Sequence, residues 1–216
     1  GISLQDSKTG KWRSFLSTFE NVQNSKNHIF TTLCEVSPGI IWAGGYFSGL
    51  YQIDKRTSKT TYFTPASYAH ESIRPDKYIR DIRKDSRGYV WSGGYYNLKR
   101  INVQTKDIRL YHGLHSVTAI IEKDDKSMWI GTATGLFLLD IESGKYERIQ
   151  LPVESTYVYS LYQTKQGSLY IGTSGSGVLI YDPQTKLFTH YYTGNCAMIS
   201  NNIYTILSDE DNEILL

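Results

Sequence analysis

Apolar residues along this chain come in short runs separated by polar turn residues. One stretch shows the pattern cleanly: Val117 to Glu122, Met128 to Thr132, Leu136 to Asp140 and Tyr146 to Leu151 are apolar or aromatic, with Asp, Gly, Ser and Lys between them. Runs of this length with such boundaries predict antiparallel strands, and no stretch has helical length and period. The pattern then repeats. Ile40-Ile41-Trp42-Ala43-Gly44, Tyr89-Val90-Trp91-Ser92-Gly93, Ser127-Met128-Trp129-Ile130-Gly131 and Ser168-Leu169-Tyr170-Ile171-Gly172 each follow a polar turn. Each precedes a second apolar run ending in Asp or Asn, at Asp54, Asn102, Asp140 and Asp182. The aromatic anchors at 42, 91, 129 and 170 lie 49, 38 and 41 residues apart. Self-similarity at that period, with four strand-length runs per unit, predicts an all-β chain of four-stranded antiparallel β-propeller blades.

A lone blade cannot bury both faces, so each must stack on its neighbours. The repeated Trp is therefore expected between blades, and the Gly after it where backbones approach closely. Third strands are expected to contain Ile53, Ile101, Leu139 and Tyr181. Whole blades are assigned to residues 29–65, 78–113, 116–151 and 157–194, a trailing half blade to 1–15 and a leading half blade to 202–216, within one propeller segment spanning 1–216. Two arrangements fit this count. The halves meet and close a five-bladed ring, or the chain is a segment of a larger, seven-bladed propeller; the second is the expectation.

Composition narrows function only slightly. A net charge of +2 over 216 residues excludes little, and 18 tyrosines suit strands as well as stacking on flat ligands. No run of 18 apolar residues is present. Cys34 and Cys196 match no metal spacing, and His112 and His115 lack a nearby Glu or Cys, so no metal site and no cofactor are predicted. The Gly-rich loop from Gly172 to Gly177 joins two strands and is not a phosphate loop. Asp124-Asp125 and the Asp209 to Asp211 carboxylates fill turns. No catalytic constellation emerges, because His28, His70, His112, His115 and His190 share no repeat position.

Two places exceed the template. The loop from Thr64 to Lys77 is about ten residues longer than its counterparts and carries Tyr68, His70 and Arg74. In a propeller it shares a face with the loops between second and third strands, which here bring Tyr46, Phe47, Tyr95, Tyr96 and Asn97. The second place is a basic sector from Tyr78 to Gly113, with eight Lys or Arg against three Asp. Arg80 and Arg83 lie in its first strand, where a carboxylate or sulfate could be held bidentately. The sector is confined to one unit, which argues against nucleic acid. These ten residues form the candidate ligand site.

The template read from Val117 through Trp129-Ile130-Gly131-Thr132 and Gly135-Leu136 to Asp140 resembles the two-component regulator propeller repeat. Tyr170 in place of Trp, Asn97-Leu98 in place of Gly-Leu and Asn102 in place of Asp depart from it. The resemblance implies the periplasmic sensor region of a transmembrane hybrid histidine kinase, in which this segment helps to detect an oligosaccharide and the full-length sensor is a homodimer; the basic sector adds the expectation that the oligosaccharide is anionic. It implies contacts with other blades and domains of the same protein and a kinase outside these residues. The alternatives are a propeller enzyme of lyase or glycosidase type and a protein-interaction scaffold.

Overall fold

A computed structural model describes residues 1–15, 29–46, 49–63, 78–209 and 214–216. Among the described residues every regular element is a strand. The chain divides into two compact units, residues 1–110 and 111–216.

The first unit opens with the hairpin β1 (Ile2–Gln5) and β2 (Trp12–Phe15). A blade follows, from β3 (Ile29–Ser37), β4 (Ile40–Tyr46), β5 (Gly49–Asp54) and β6 (Thr60–Tyr62), paired in that order. The next blade is β7 (Ile79–Lys84), β8 (Val90–Gly94), β9 (Leu98–Ile101) and β10 (Ile108–Tyr111). The second unit holds two more: β11 (Val117–Asp124) to β14 (Tyr146–Ile149), with β12 (Ser127–Thr132) and β13 (Gly135–Asp140) between, and β15 (Val158–Gln163) to β18 (Leu187–Tyr191), with β16 (Leu169–Thr173) and β17 (Val178–Asp182) between. A short pair, β19 (Leu207–Ser208) and β20 (Ile214–Leu215), ends the chain. Ile53, Ile101, Leu139 and Tyr181 all lie on third strands, as the repeat predicts. Within residues 202–209, the run from Ile203 to Leu207 enters a strand ladder only at Leu207, opposite Leu215. Ile203 and Ile206 instead turn into a core cluster with Val178, each 5% exposed.

Apolar packing between successive blades explains why the repeat is needed. Trp42 packs with Phe63, Ile79, Ile82, Val90 and Ile101, spanning the two blades of the first unit. Trp129 packs with Val158, Leu161, Leu169, Leu179 and Tyr181 in the second. Trp42, Trp91 and Trp129 are each at most 1% exposed. The glycine two residues after Trp makes this stacking possible. A Cβ on Gly44 would lie 2.7 Å from Ile79 Cγ2, and one on Gly131 2.7 Å from Val158 Cγ1, too close for any side chain.

Every first strand carries the same irregularity. Its register shifts by one residue between Phe30 and Thr32, Ile79 and Asp81, Val117 and Ala119, and Val158 and Ser160. The extra residues are Thr31, Arg80, Thr118 and Tyr159. A β-bulge leaves its extra residue out of the ladder and re-aims the side chain. Thr31 Oγ1 donates to Ile79 O of the following blade at 3.1 Å, and Thr118 Oγ1 donates likewise to Val158 O.

Candidate functional site

The bulge in β7 positions the candidate site of the first unit. Tyr46 closes β4 and forms an isolated antiparallel bridge with Tyr78, the residue before β7. The Tyr95 amide then donates to Tyr78 O at 3.1 Å, tying the loop after β8 to the same point. Backbone pairing thus gathers four rings. Tyr46 and Tyr78 meet edge to face at 6.2 Å between centroids, as do Tyr95 and Tyr96 at 4.9 Å, and Tyr78 and Tyr95 lie tilted to each other at 6.2 Å. Edge-to-face contacts of this kind hold rings in fixed orientations. Tyr95 and Tyr96 are 57% and 44% exposed, so this chain of rings has a solvent-facing end. Arg80, pushed out of the ladder by the bulge, sets its guanidinium carbon 5.9 Å from the Tyr46 ring centre. Asn97 is half-buried beside Tyr96 in sequence. The arrangement offers flat apolar platforms, phenol hydroxyls and a cation with five N–H donors.

Tyr46, Arg80, Tyr95, Tyr96 and Asn97 therefore fall in one neighbourhood. Arg83 does not join it. It sits opposite Trp91, toward the other end of β7, and its Nε lies 3.2 Å from a carboxylate oxygen of buried Asp81. Phe47, Tyr68, His70 and Arg74 lie outside the described residues.

Two aromatic groupings were not singled out from the sequence. Tyr78 is the bridge between Tyr46 and Tyr95. In the second unit, Tyr159 packs against Tyr157 at 4.7 Å and Tyr204 at 4.8 Å. Tyr78 and Tyr157 hold the same place, one residue before the first strand, while Arg80 and Tyr159 are both bulge residues. Aligning the units on that strand would have exposed both.

His190 Nε2 donates to Ser176 O at 2.6 Å, fixing the loop between β16 and β17. Cys34 and Cys196 are free thiols, and burial pushes the Cys34 thiol up. Among the described residues no cluster of His, Cys, Asp and Glu is placed to hold a metal ion. No helix among them is long and apolar enough to cross a membrane.

Residues 152–175 match the two component regulator propeller family. No curated protein matches the chain. Among solved structures, the extracellular domain of the hybrid two component system BT3049 from B. thetaiotaomicron superposes with a TM-score of 0.80 at 20% identity, covering 99% of this chain and 29% of that one. That of BT4673 from B. thetaiotaomicron gives 0.77 at 20% identity, covering 99% and 28%. A catalytically inactive virginiamycin B lyase from Staphylococcus aureus with quinupristin gives 0.74 at 16% identity, covering 98% and 68%. This chain spans less than a third of the length of the two extracellular domains. The likenesses establish the propeller fold.

Proposed function

We propose that this chain supplies blades to the extracytoplasmic sensor propeller of a transmembrane two-component regulator, and that it helps to detect an oligosaccharide. The signal would pass to a kinase outside these residues, with other blades and domains of the same protein as neighbours and a homodimer of the full-length sensor as the signalling form. The family match and the likeness to extracellular domains support the sensor role. One observation carries the ligand class: the chain of rings from Tyr46 to Tyr96 with Arg80 set over its first ring. Sugars present apolar C–H faces that stack on aromatic rings and hydroxyls that need fixed polar partners. Arg80 would favour a carboxylate or sulfate on that sugar.

The test is a glycan array on the purified protein followed by calorimetry on the binding sugar. Tyr95→Ala and Arg80→Ala should each weaken binding by about ten- to a hundredfold, the effect of losing a contact worth ~1–3 kcal/mol. Unchanged affinity in both variants would place the site elsewhere. The likeness to virginiamycin B lyase supports a second reading, a propeller enzyme. Turnover of a bound glycan in the same titration would favour it.

A further inference from the structure

At the opposite end of the first unit's blades lies a cleft of about 470 Å³. Tyr78, just before β7, and Lys84, its last residue, lie roughly 20 Å apart at ~3.3 Å per strand residue, so this cleft is distinct from the tyrosine neighbourhood. Its walls are the end of β3 and the turns after β7 and β9, with Ser37, Lys84, Arg87, Tyr89, Asn102 and Gln104 prominent. The volume falls in the range of small-molecule sites, about 300–1,000 Å³. Among the described residues no acid lines it. The side chains of Lys84 and Arg87 are exposed and form no ion pair among the described residues.

Strand register shows that this charge is peculiar to one blade. Lys84 lies opposite Val90, and the residues in that place in the other blades are Glu35, Glu122 and Gln163. The turn that follows has the same length in all four, so Arg87 corresponds to Pro38, Asp125 and Gln166. Asn102 corresponds to Asp54, Asp140 and Asp182. Its Oδ1 accepts the Gln104 and Thr105 amides at 2.9 and 3.1 Å, as Asp54 accepts those of Arg56 and Thr57 at 2.8 and 3.2 Å. The amide thus keeps the turn and discards its negative charge. At the positions equivalent to the cleft lining, the third blade carries Glu122, Asp125, Asp140 and Glu142 against Lys126 alone.

The wall is also built to stay in place. Arg100 stacks on Tyr89, its guanidinium carbon 3.6 Å from the ring centre, and its Nε lies 3.6 Å from buried Asp85. Asp85 accepts the Tyr89 amide at 2.9 Å. The acids nearby in sequence are occupied: Glu35 holds Lys55 at 2.9 Å, and Asp107 accepts Thr105 Oγ1 at 2.6 Å.

We infer that this cleft is an anion site, taking a compact ligand through a carboxylate, sulfate or phosphate group held by Lys84 and Arg87, with Tyr89 as one wall. It does not depend on the glycan reading of the tyrosine neighbourhood. The test is an amide chemical-shift titration at constant ionic strength, with inorganic sulfate, inorganic phosphate and citrate as probes and chloride as control. At least one oxyanion should give saturable shifts at Gly88, Tyr89 and Gln104, and chloride should not. Lys84→Glu and Asn102→Asp introduce residues that other blades already accommodate, and each should weaken the saturable binding by about tenfold through lost or opposed charge. The ranking of the three probes identifies the preferred group. Shifts that never saturate, that chloride reproduces, or that persist in the double variant would overturn the inference.

Discussion

In the third blade, Ile121 faces Trp129 across one register position and Leu138 across the next; in the second, Arg83 and Arg100 occupy those places around Trp91. Strand order is the same, yet the second blade buries Asp81, Asp85, Ser92, Lys99 and Arg100, whereas the third buries only Thr132 among its polar residues. The difference is sustained by pairing. Asp85 accepts Trp91 Nε1 at 2.9 Å and answers Arg100, whereas Trp42 and Trp129 bury the same nitrogen without a partner among the described residues. The blades therefore share an aromatic anchor, Trp42, Trp91, Trp129 or Tyr170, and the glycine two residues after it. A blade tolerates charge elsewhere if the charges arrive together, since a buried ion whose partner is removed is strongly unfavourable.

The most severe way to break the comparison is to remove what the blades share. Trp129→Ala should cost about 3–5 kcal/mol in thermal or urea unfolding, the usual range for emptying a large aromatic site. Removing what the second blade alone possesses should cost nearly as much. Asp85→Ala leaves Arg100 and the Trp91 N–H unanswered and should destabilise by about 3–5 kcal/mol, whereas Lys123→Ala, at the corresponding place in the third blade, should change stability by less than ~1 kcal/mol. Equal effects of the two would show that the Asp85 pairing is incidental. A smaller loss, about 1–3 kcal/mol, is expected for Gly44→Ala and Gly131→Ala, which force a Cβ against the next blade's first strand.

The smallest effect sharpens the contrast at the turns. Hydrogen bonds from the Arg56 and Thr57 groups hold the Asp54 carboxyl below its ordinary value of 3.8, and those from Gln184 and Thr185 do the same for Asp182. A depressed folded pKa means stabilisation that is present above the ordinary value and lost as pH falls through the folded one. The Arg56 and Gln184 amides should therefore shift as pH drops below about 3.8, while Gln104, held by the uncharged Asn102, should not. Asn102→Asp should bring that titration to the second blade and alter stability near neutral pH by no more than ~0.5 kcal/mol.

The skeleton was legible because its signals are local. A run of apolar residues, a turn and a Trp-x-Gly step can each be recognised without knowing what lies opposite. The tyrosine neighbourhood was half legible: Tyr46, Tyr95 and Tyr96 stand out as loop aromatics, but Tyr78 joins them through a backbone bridge that no spacing announces. Arg80 and Arg83 look equivalent in the sequence. A one-residue bulge sends the first toward Tyr46, and buried Asp81 claims the second. The charge reversal at Lys84, Arg87 and Asn102 was invisible as a pattern, because it appears only when residues are compared by register partner. An excess of basic residues in the segment was plain, but not which of them were already neutralised.

The bulge has a consequence for how such a protein can change. Thr31, Arg80, Thr118 and Tyr159 occupy the extra position of the bulge, so the ladder assigns them no register partner. Threonine there stitches one blade to the next, arginine reaches the Tyr46 ring, and tyrosine packs with Tyr157 and Tyr204. Selection, or a library confined to these four codons, can thus explore new specificities without renegotiating the core, one blade at a time.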